Sequence, residues 1–345
     1  MVYNELINNI NLININNIIS FYLFLFIIFA LLLSLVIDVL FGELPGKIHP
    51  VVIMGSLINF FKKKFINIKN WASGLMLVLC TSVISSVLLL IIYTIIKNNI
   101  ILLFLVFSIL LSSTFSVKML LQTAIDVKND LDNDIKKARK SVSYLVSRNT
   151  EDLSECFIVS AVIESLTENI TDSYVAPIFY YIIFAIFILF YPVHLKLYLL
   201  LLVPMLYRLS NTHDAMLGYK TQELIYIGFL PAKIDDILNY IPSRIAGLFI
   251  VMSAYLLNLD GKNSFKIMMR DARKCPSPNS GYTMASTAGA LNIQLIKKDT
   301  YILGDNNNKI ITANDISSAV KLSKLSIILF TLTIICLFIL IYVIL

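Results

Sequence analysis

Glu164-Ser165-Leu166-Thr167-Glu168-Asn169-Ile170-Thr171-Asp172 is followed closely by Pro177 and then by the apolar run Ile178 to Tyr191. Read as a helix, the stretch repeats an acid every fourth residue and puts Glu164, Glu168 and Asp172 on one face. Ser165 and Asn169 stand beside them, while Val162, Ile163, Leu166, Ile170 and Tyr174 fall on the opposite side. Like charges at this spacing cost about 0.2–0.5 kcal/mol per pair. A hard divalent cation such as Mg²⁺, which takes oxygen ligands, would offset that cost; a solvated helix face is the plainer alternative. Acids are scarce here, 22 among 345 residues, so three in register at the start of an apolar run point to a site. The acidic face ends where a membrane begins.

Composition carries the same reading to the whole chain. It is 58% hydrophobic and 14% charged, with a mean hydropathy of +0.80, against about 25% charged in a soluble domain. The formal charge of +6 bears on orientation and on anionic lipid or substrate. No RNA- or DNA-binding signature is present, so nucleic acid is not an expected partner. Cys80, Cys156, Cys275 and Cys336 form no Cys-x-x-Cys spacing and indicate neither zinc nor disulfides. Residues 1–17 have no Lys or Arg, unlike a signal peptide, so the apolar run after them reads as a retained first span.

These runs predict an all-α, multi-span integral membrane protein, a single membrane-embedded domain over residues 1–345. Spans are expected at about 18–36, 74–96, 100–121 and 325–345. Lys97-Asn98-Asn99 turns the second into the third. Residues 178–206, interrupted by Pro192, His194 and Lys196, read as a broken pair of membrane helices bending near Tyr191-Pro192; one long span is the alternative. Ile245 to Leu257 is short for a span and reads as a re-entrant or interfacial helix. Asp126 to Arg148 reads as amphipathic, with Ile135, Ala138, Val142 and Leu145 as its stripe. Thr150, Glu151 and Asp152 read as the start of the acidic helix, which would end near Val175. Lys47, Lys62, Lys63, Lys64 and Lys69 follow the first span, so the polar segments are expected in the cytoplasm, on the active face of a multi-pass cell-membrane protein.

Each polar segment holds a dense motif. Asp38-x-x-x-Gly42-Glu43-x-Pro45 leads to His49-Pro50-Val51, a turn that presents His49. Arg148-Asn149-Thr150 leads into the acidic helix. Asn211-Thr212-His213-Asp214 continues to Gly218-Tyr219. Asp235-Asp236-x-x-Asn239-x-x-Pro242-x-Arg244 follows; adjacent Asp side chains on a helix diverge by about 100°, so both rarely serve one ligand. Arg270-Asp271-Ala272-Arg273 runs on to Pro276-Ser277-Pro278-Asn279-Ser280-Gly281, able to hold phosphate through its arginines and backbone N–H groups. Leu303-Gly304-Asp305 is the last, with Thr312-Ala313-x-Asp315 as a helix start.

In this order and spacing the motifs resemble those of the membrane-bound adenosylcobinamide-phosphate synthase family of cobalamin biosynthesis, the CbiB/CobD family, over Asp38 to Lys321. The family's Asp-x-x-x-Gly-Asp-Pro…His-Pro-Val is matched at Asp38 to Val51, and its Arg-Asp-Thr…Glu-Ser-x-x-Glu-Asn-x-x-Asp…Ala-Pro at Arg148 to Pro177. Its Asn-Thr-x-Asp-x-Met-x-Gly-Tyr is matched at Asn211 to Tyr219, Asp-Asp-x-x-Asn-x-x-Pro-x-Arg at Asp235 to Arg244, and Arg-Asp-x-x-x-x-Pro-Ser-Pro-Asn-x-Gly at Arg270 to Gly281. The chain departs at Glu43, where Asp is usual, at Asn149, which replaces Asp, and at His213 and Cys275, usually Leu and His.

The resemblance implies ATP-dependent amide formation between the propionate carboxylate of adenosylcobyric acid and aminopropanol or its O-phosphate. It implies Mg²⁺ as cofactor, ATP as co-substrate, a corrinoid substrate, and other late cobalamin-assembly enzymes as partners beside the lipid bilayer. Glu164, Glu168, Asp172 and Asp214 are then expected to hold Mg²⁺. Arg244, Arg270 and Arg273, with Asp235, Asp236 and Asp271 nearby, would form the phosphate and substrate site, and Asn169, Asn211 and Asn279 would orient substrate. His49 or a carboxylate, Asp38 included among the catalytic candidates, would take the ammonium proton. No Gly-x-x-x-x-Gly-Lys-Ser/Thr loop is present, so nucleotide binding would be of another kind. A transporter with discontinuous helices is the alternative reading.

Overall fold

The computed structural model describes residues 2–146, 148–191, 195–306 and 310–344, with side chains from residue 20 onward. Pro192 and His194, two of the expected interruptions, lie outside the described residues. α1 (Val2–Phe41) carries the first apolar run and stops at Gly42, whose φ of 73° allows a left-handed end. α2 (Pro50–Phe65) starts on a proline, which suits the first helical position. α3 (Ala72–Ile96) and α4 (Ile100–Ser112) form the expected hairpin, with Asn99 Oδ1 accepting from the Ile101 and Leu102 N–H groups. A turn at 113–116 precedes α5 (Val117–Asn133), and α4 and α5 together make one stretch, Ile100–Asn133, long and apolar enough for the span expected over 100–121. α6 (Ile135–Val142) is capped by Asp134, which accepts from the Lys136 N–H.

α7 (Glu155–Ile170) begins behind Ser154, four residues later than the Thr150-Glu151 start expected from sequence. Arg139 Nε donates to the Leu153 carbonyl at 2.9 Å, in the connector that leads to it. A π-turn, Thr171–Val175, continues directly into α8 (Ala176–Phe190); the Ala176 N–H reaches back five residues to the Thr171 carbonyl. The acidic helix therefore does not end near Val175. It runs into the membrane-length apolar helix as one rod, Glu155–Phe190. At Glu164 its acidic face is closed off, 4% exposed with Ser160, Ser165 and Thr167 buried around it, while Glu168 and Asp172 are half-buried.

α9 (Lys196–Leu217) packs back against α8. α10 (Phe229–Leu238) and α11 (Tyr240–Leu256) meet at a 48° bend, a broken span or re-entrant pair. α12 (Gly261–Asp271) and α13 (Gly281–Leu291) approach closely at Gly289, where a Cβ would stand 2.6 Å from the Asn263 carbonyl oxygen. β1 (Leu295–Lys297) and β2 (Tyr301–Leu303) form a short antiparallel hairpin that the all-α reading did not contain. Asp299, at φ 57°, supplies its left-handed turn residue. α14 (Ala313–Ile344) starts at the expected Thr312, with the Asp315 carboxylate reaching back to the Thr312 N–H at 2.8 Å.

Among the described residues, five helical stretches are long and apolar enough to cross a bilayer, or six if the bent pair is counted as one span. Phe24, Phe107, Tyr181, Ile250 and Phe330 belong to one core joining α1, α4, α8, α11 and α14. A second core joins α5, α7, α13 and the start of α14 through Val127, Ile163, Met284 and Ala319. Apolar side chains such as Val83, Ile91, Leu332 and Val343 face outward, as lipid contact allows.

Candidate active site

Two cavities share a wall built by the acidic rod. The larger, of about 520 Å³, is lined by Glu168, Asp172, Asp214, Asp235 and Asp236, together with Lys220, Lys233, Ser277 and Asn279. The second, of about 380 Å³, is lined by Arg148, Glu164, Asn169, Asn211, Lys297 and Tyr301, and it too meets Glu168, Asp172 and Asp214. Four of the motifs thus converge: those at 148–177, 211–219, 235–244 and 270–281.

Glu164 is held by three donors. Arg148 Nη2 and the Tyr301 hydroxyl donate to its Oε2, each at 2.9 Å, and Ser160 donates to its Oε1 at 2.6 Å. Ser160 Oγ also accepts from the Ile296 N–H, which ties β1 to α7. Burial, with the Glu164 carboxylate beside it, keeps the Tyr301 phenol protonated well above the ordinary tyrosine range. Glu164 is therefore the anchor of a closed network. Among the described residues, no three of His, Cys, Asp and Glu are gathered as a ready-made metal site.

The neighbouring acids sit in amide networks. Asp235 accepts from Asn239 Nδ2 at 2.9 Å, and Asn239 Oδ1 accepts from Tyr207. Asn211 takes the Arg208 guanidinium on its oxygen at 3.3 Å and faces Asp235 at 3.5 Å. Asp235 and Asp236 both line the larger cavity despite their divergent directions, Asp236 lying 3.7 Å from Lys233. Asn279 donates to the Asp236 carbonyl at 2.8 Å and accepts from Arg244 at 3.1 Å. Asn169 donates to the Ser165 carbonyl at 2.8 Å.

Other expected site residues are engaged elsewhere. The Arg244 guanidinium lies 3.5 Å from the Tyr240 ring centroid and 4.2 Å from that of Tyr282, clamping the loop that carries Asn279. Arg270 forks onto Asp271 with two bonds of 2.7 Å and reaches Asp305. Asp271 is fully buried and also accepts from Lys274 and from the Gly304 N–H. Burial works to raise its pKa, but these donors outweigh it and hold the group at about 2. This knot joins α12 to β2; it does not line the two cavities, and Arg273 is exposed beyond it.

Asp38 Oδ2 accepts from the Val117 and Lys118 N–H groups at 3.2 and 3.1 Å, so it caps α5. Glu43 accepts from Ser116 Oγ at 2.9 Å. The Ser116 N–H bonds the Ser173 carbonyl inside the π-turn. His49 is the N-cap of α2, its Nδ1 accepting from the Val51 N–H at 3.1 Å. Burial lowers its pKa, which leaves a neutral ring with its proton on Nε2. His213 is buried with Nε2 2.8 Å from Thr81 Oγ1, and burial pushes the Cys275 thiol up to about 12; neither is an activated group.

Arg208, Lys297 and Tyr301 were missed in the sequence. Arg208 closes the 178–206 stretch and reads as a basic flank, yet it lines a further pocket of about 170 Å³ with Glu43, Asn169 and Ser173, its Nε buried without a partner. Lys297 and Tyr301 reach the site only because the hairpin pairs one with the other.

A family model described as CobD/Cbib protein matches residues 31–323. A relative from Methanothermobacter thermautotrophicus, named probable cobalamin biosynthesis protein CobD, is 44% identical over 88% of this chain and 95% of its own length. Relatives of the same name from Methanococcus aeolicus and Methanocaldococcus jannaschii are 40% and 37% identical, over 80% and 79% of this chain and 86% and 87% of their own lengths. No solved structure matches the chain. With the polar motifs gathered around one pair of cavities and these matches spanning nearly the whole chain, the protein belongs to the CobD/Cbib protein family.

Proposed function

We propose that this protein acts in cobalamin biosynthesis, joining the propionate carboxylate of adenosylcobyric acid to aminopropanol or its O-phosphate at the expense of ATP. The observation that carries the reading is the acidic wall of Glu168, Asp172 and Asp214, reached from two cavities at once. One side can take an ammonium group and the other a carboxylate with its activating phosphate.

In this reading the carboxylate oxygen attacks the γ-phosphorus of ATP, giving an acyl phosphate and ADP. The amine then attacks the acyl carbon, inorganic phosphate leaves, and the nitrogen loses a proton. Asp214 or Asp235 receives that proton, since both line the larger cavity and His49 does not. Lys297 and Arg148 orient the acyl phosphate oxygens, and Asn211 and Asn279 orient the amine. The carboxylates of Glu168, Asp172 and Asp214 have the hard oxygen chemistry Mg²⁺ requires. These three, which line both cavities, would be the residues to hold such an ion. Mg²⁺ would neutralise charge on those phosphates. The lysines after the first span favour a cytoplasmic active face.

The test is direct. Purified protein in detergent receives ATP, Mg²⁺, adenosylcobyric acid and each amine in turn, and product masses are measured. A mass gain equal to the amine less water, dependent on ATP, supports the reading. Corrinoid uptake into sealed vesicles with no change in mass would replace it with the transporter reading, which the bend between α10 and α11 favours.

A further inference from the structure

A fourth basin, of about 590 Å³, lies between α6 and the segment 148–151. Its charge is the reverse of the acidic wall: Lys136, Arg139, Lys140 and Arg148 face a single carboxylate, Glu151. Lys136 and Lys140 are four residues apart and share one face of α6. Both are exposed and make no ion pair among the described residues, whereas their neighbour Lys137 is taken by Asp130. Arg139 is oriented by its bond to the Leu153 carbonyl. Arg148 lines this basin and the 380 Å³ cavity alike; it gives Nη2 to Glu164 and leaves Nε buried with no hydrogen-bond partner among the described residues. Two lysines without an ion pair among the described residues, beside two arginines, converge on a cavity of ligand size and call for an anion of high charge; phosphate oxygens match arginine's forked donors.

We propose that this basin seats the phosphate chain of a polyphosphate ligand, with Arg148 at the threshold through which the terminal phosphate meets the acidic cavity. The proposal rests on the ATP-dependent reading above and assigns to that reaction an entry side where Lys136, Arg139 and Lys140 of α6, outside every sequence motif, meet the Arg148-Asn149-Thr150 motif. The i,i+4 lysines grip the outer phosphates, Arg139 supplies a fixed donor, and Arg148 separates the phosphate chain from Glu164.

The experiment uses the full chain in nanodiscs of neutral lipid, with inorganic tripolyphosphate as the probe and calorimetry as the readout. In Lys136→Ala/Lys140→Ala, tripolyphosphate binding should weaken by about tenfold or more, and the KM for ATP should rise while that for the corrinoid does not. Charge reversal, Lys136→Glu/Lys140→Glu, should weaken it further. Tripolyphosphate affinity equal to wild type in both variants overturns the proposal. So does a variant effect confined to melting temperature in nanodiscs of anionic phosphatidylglycerol, which would mark a lipid headgroup site. The two readings separate cleanly: ATP-dependent product with unaltered tripolyphosphate binding sinks only the basin. Weakened tripolyphosphate binding with no ATP-dependent product from the wild type sinks only the reaction.

Discussion

Arg148 and Glu164 meet at 2.9 Å, with side chains 18% and 5% exposed, and the pair stands between a basic basin and an acidic cavity. Removing one member strands a buried charge. Glu164→Ala is therefore expected to cost about 3–5 kcal/mol of stability, and the Arg148→Ala/Glu164→Ala double variant should recover part of that loss. Unfolding in detergent for the full mutant cycle measures it. Additive losses would mean that the two side chains do not depend on each other.

Glu168 differs from Glu164, because it lines both cavities while Glu164 lines one and is held by Arg148, Ser160 and Tyr301. Glu168→Gln keeps the shape and removes the charge. Melting should stay near wild type while amide formation drops by about a hundredfold or more, with Mg²⁺ half-saturation moved upward. Wild-type turnover with an unmoved Mg²⁺ dependence would remove Glu168 from the reaction.

Arg244 holds its loop by shape as well as charge. Lysine keeps the charge but cannot lie flat between Tyr240 and Tyr282 or bond Asn279 in the same plane. Arg244→Lys should cost about 1–2 kcal/mol and raise the amine KM more than it lowers kcat, since Asn279 loses its clamp. Steady-state kinetics with varied amine tests this, and an unchanged KM would confine Arg244 to folding.

Asp271 gives a pH signature. Its folded pKa is lowered to about 2 from the ordinary 3.8 of an aspartate. The stabilisation is thus complete above the unfolded value and is lost as pH falls from about 4 through about 2. The shift corresponds to about 2 kcal/mol. Wild type should lose about that much more stability than Asp271→Asn between pH 5 and pH 2. Parallel pH curves for the two proteins would show that the Arg270 and Lys274 bonds do not act through charge.

The membrane helices were legible because an uninterrupted apolar run needs no partner to be recognised, as α3 and α14 illustrate. The convergence of Asp214, Asp235 and Asn279 was legible as a set of motifs, though not as one cavity. What escaped depends on contacts distant in sequence. Tyr301 meets Glu164 across 137 positions, and nothing local to Tyr301 announces it. The helix start at Thr150 failed because Thr-Glu-Asp matches a capping pattern in a segment that tertiary contacts hold as a connector. Arg270 looked like a phosphate ligand from its charge, yet Asp271, its immediate neighbour, takes its fork.

The π-turn at Thr171–Val175 gives the rod one residue more than a regular α-helix would hold there. Each residue turns a helix by about 100°, so the turn works as a phase shifter between two halves with different surroundings. α7 can aim Glu168 at the cavities while α8 keeps its own apolar stripe on Phe107 and Ile27, and neither alignment constrains the other. Sequence drift on the lipid-facing half is thereby uncoupled from the orientation of the acids. A single-residue deletion within 171–175 would couple them again, forcing one half to rotate out of register with its neighbours.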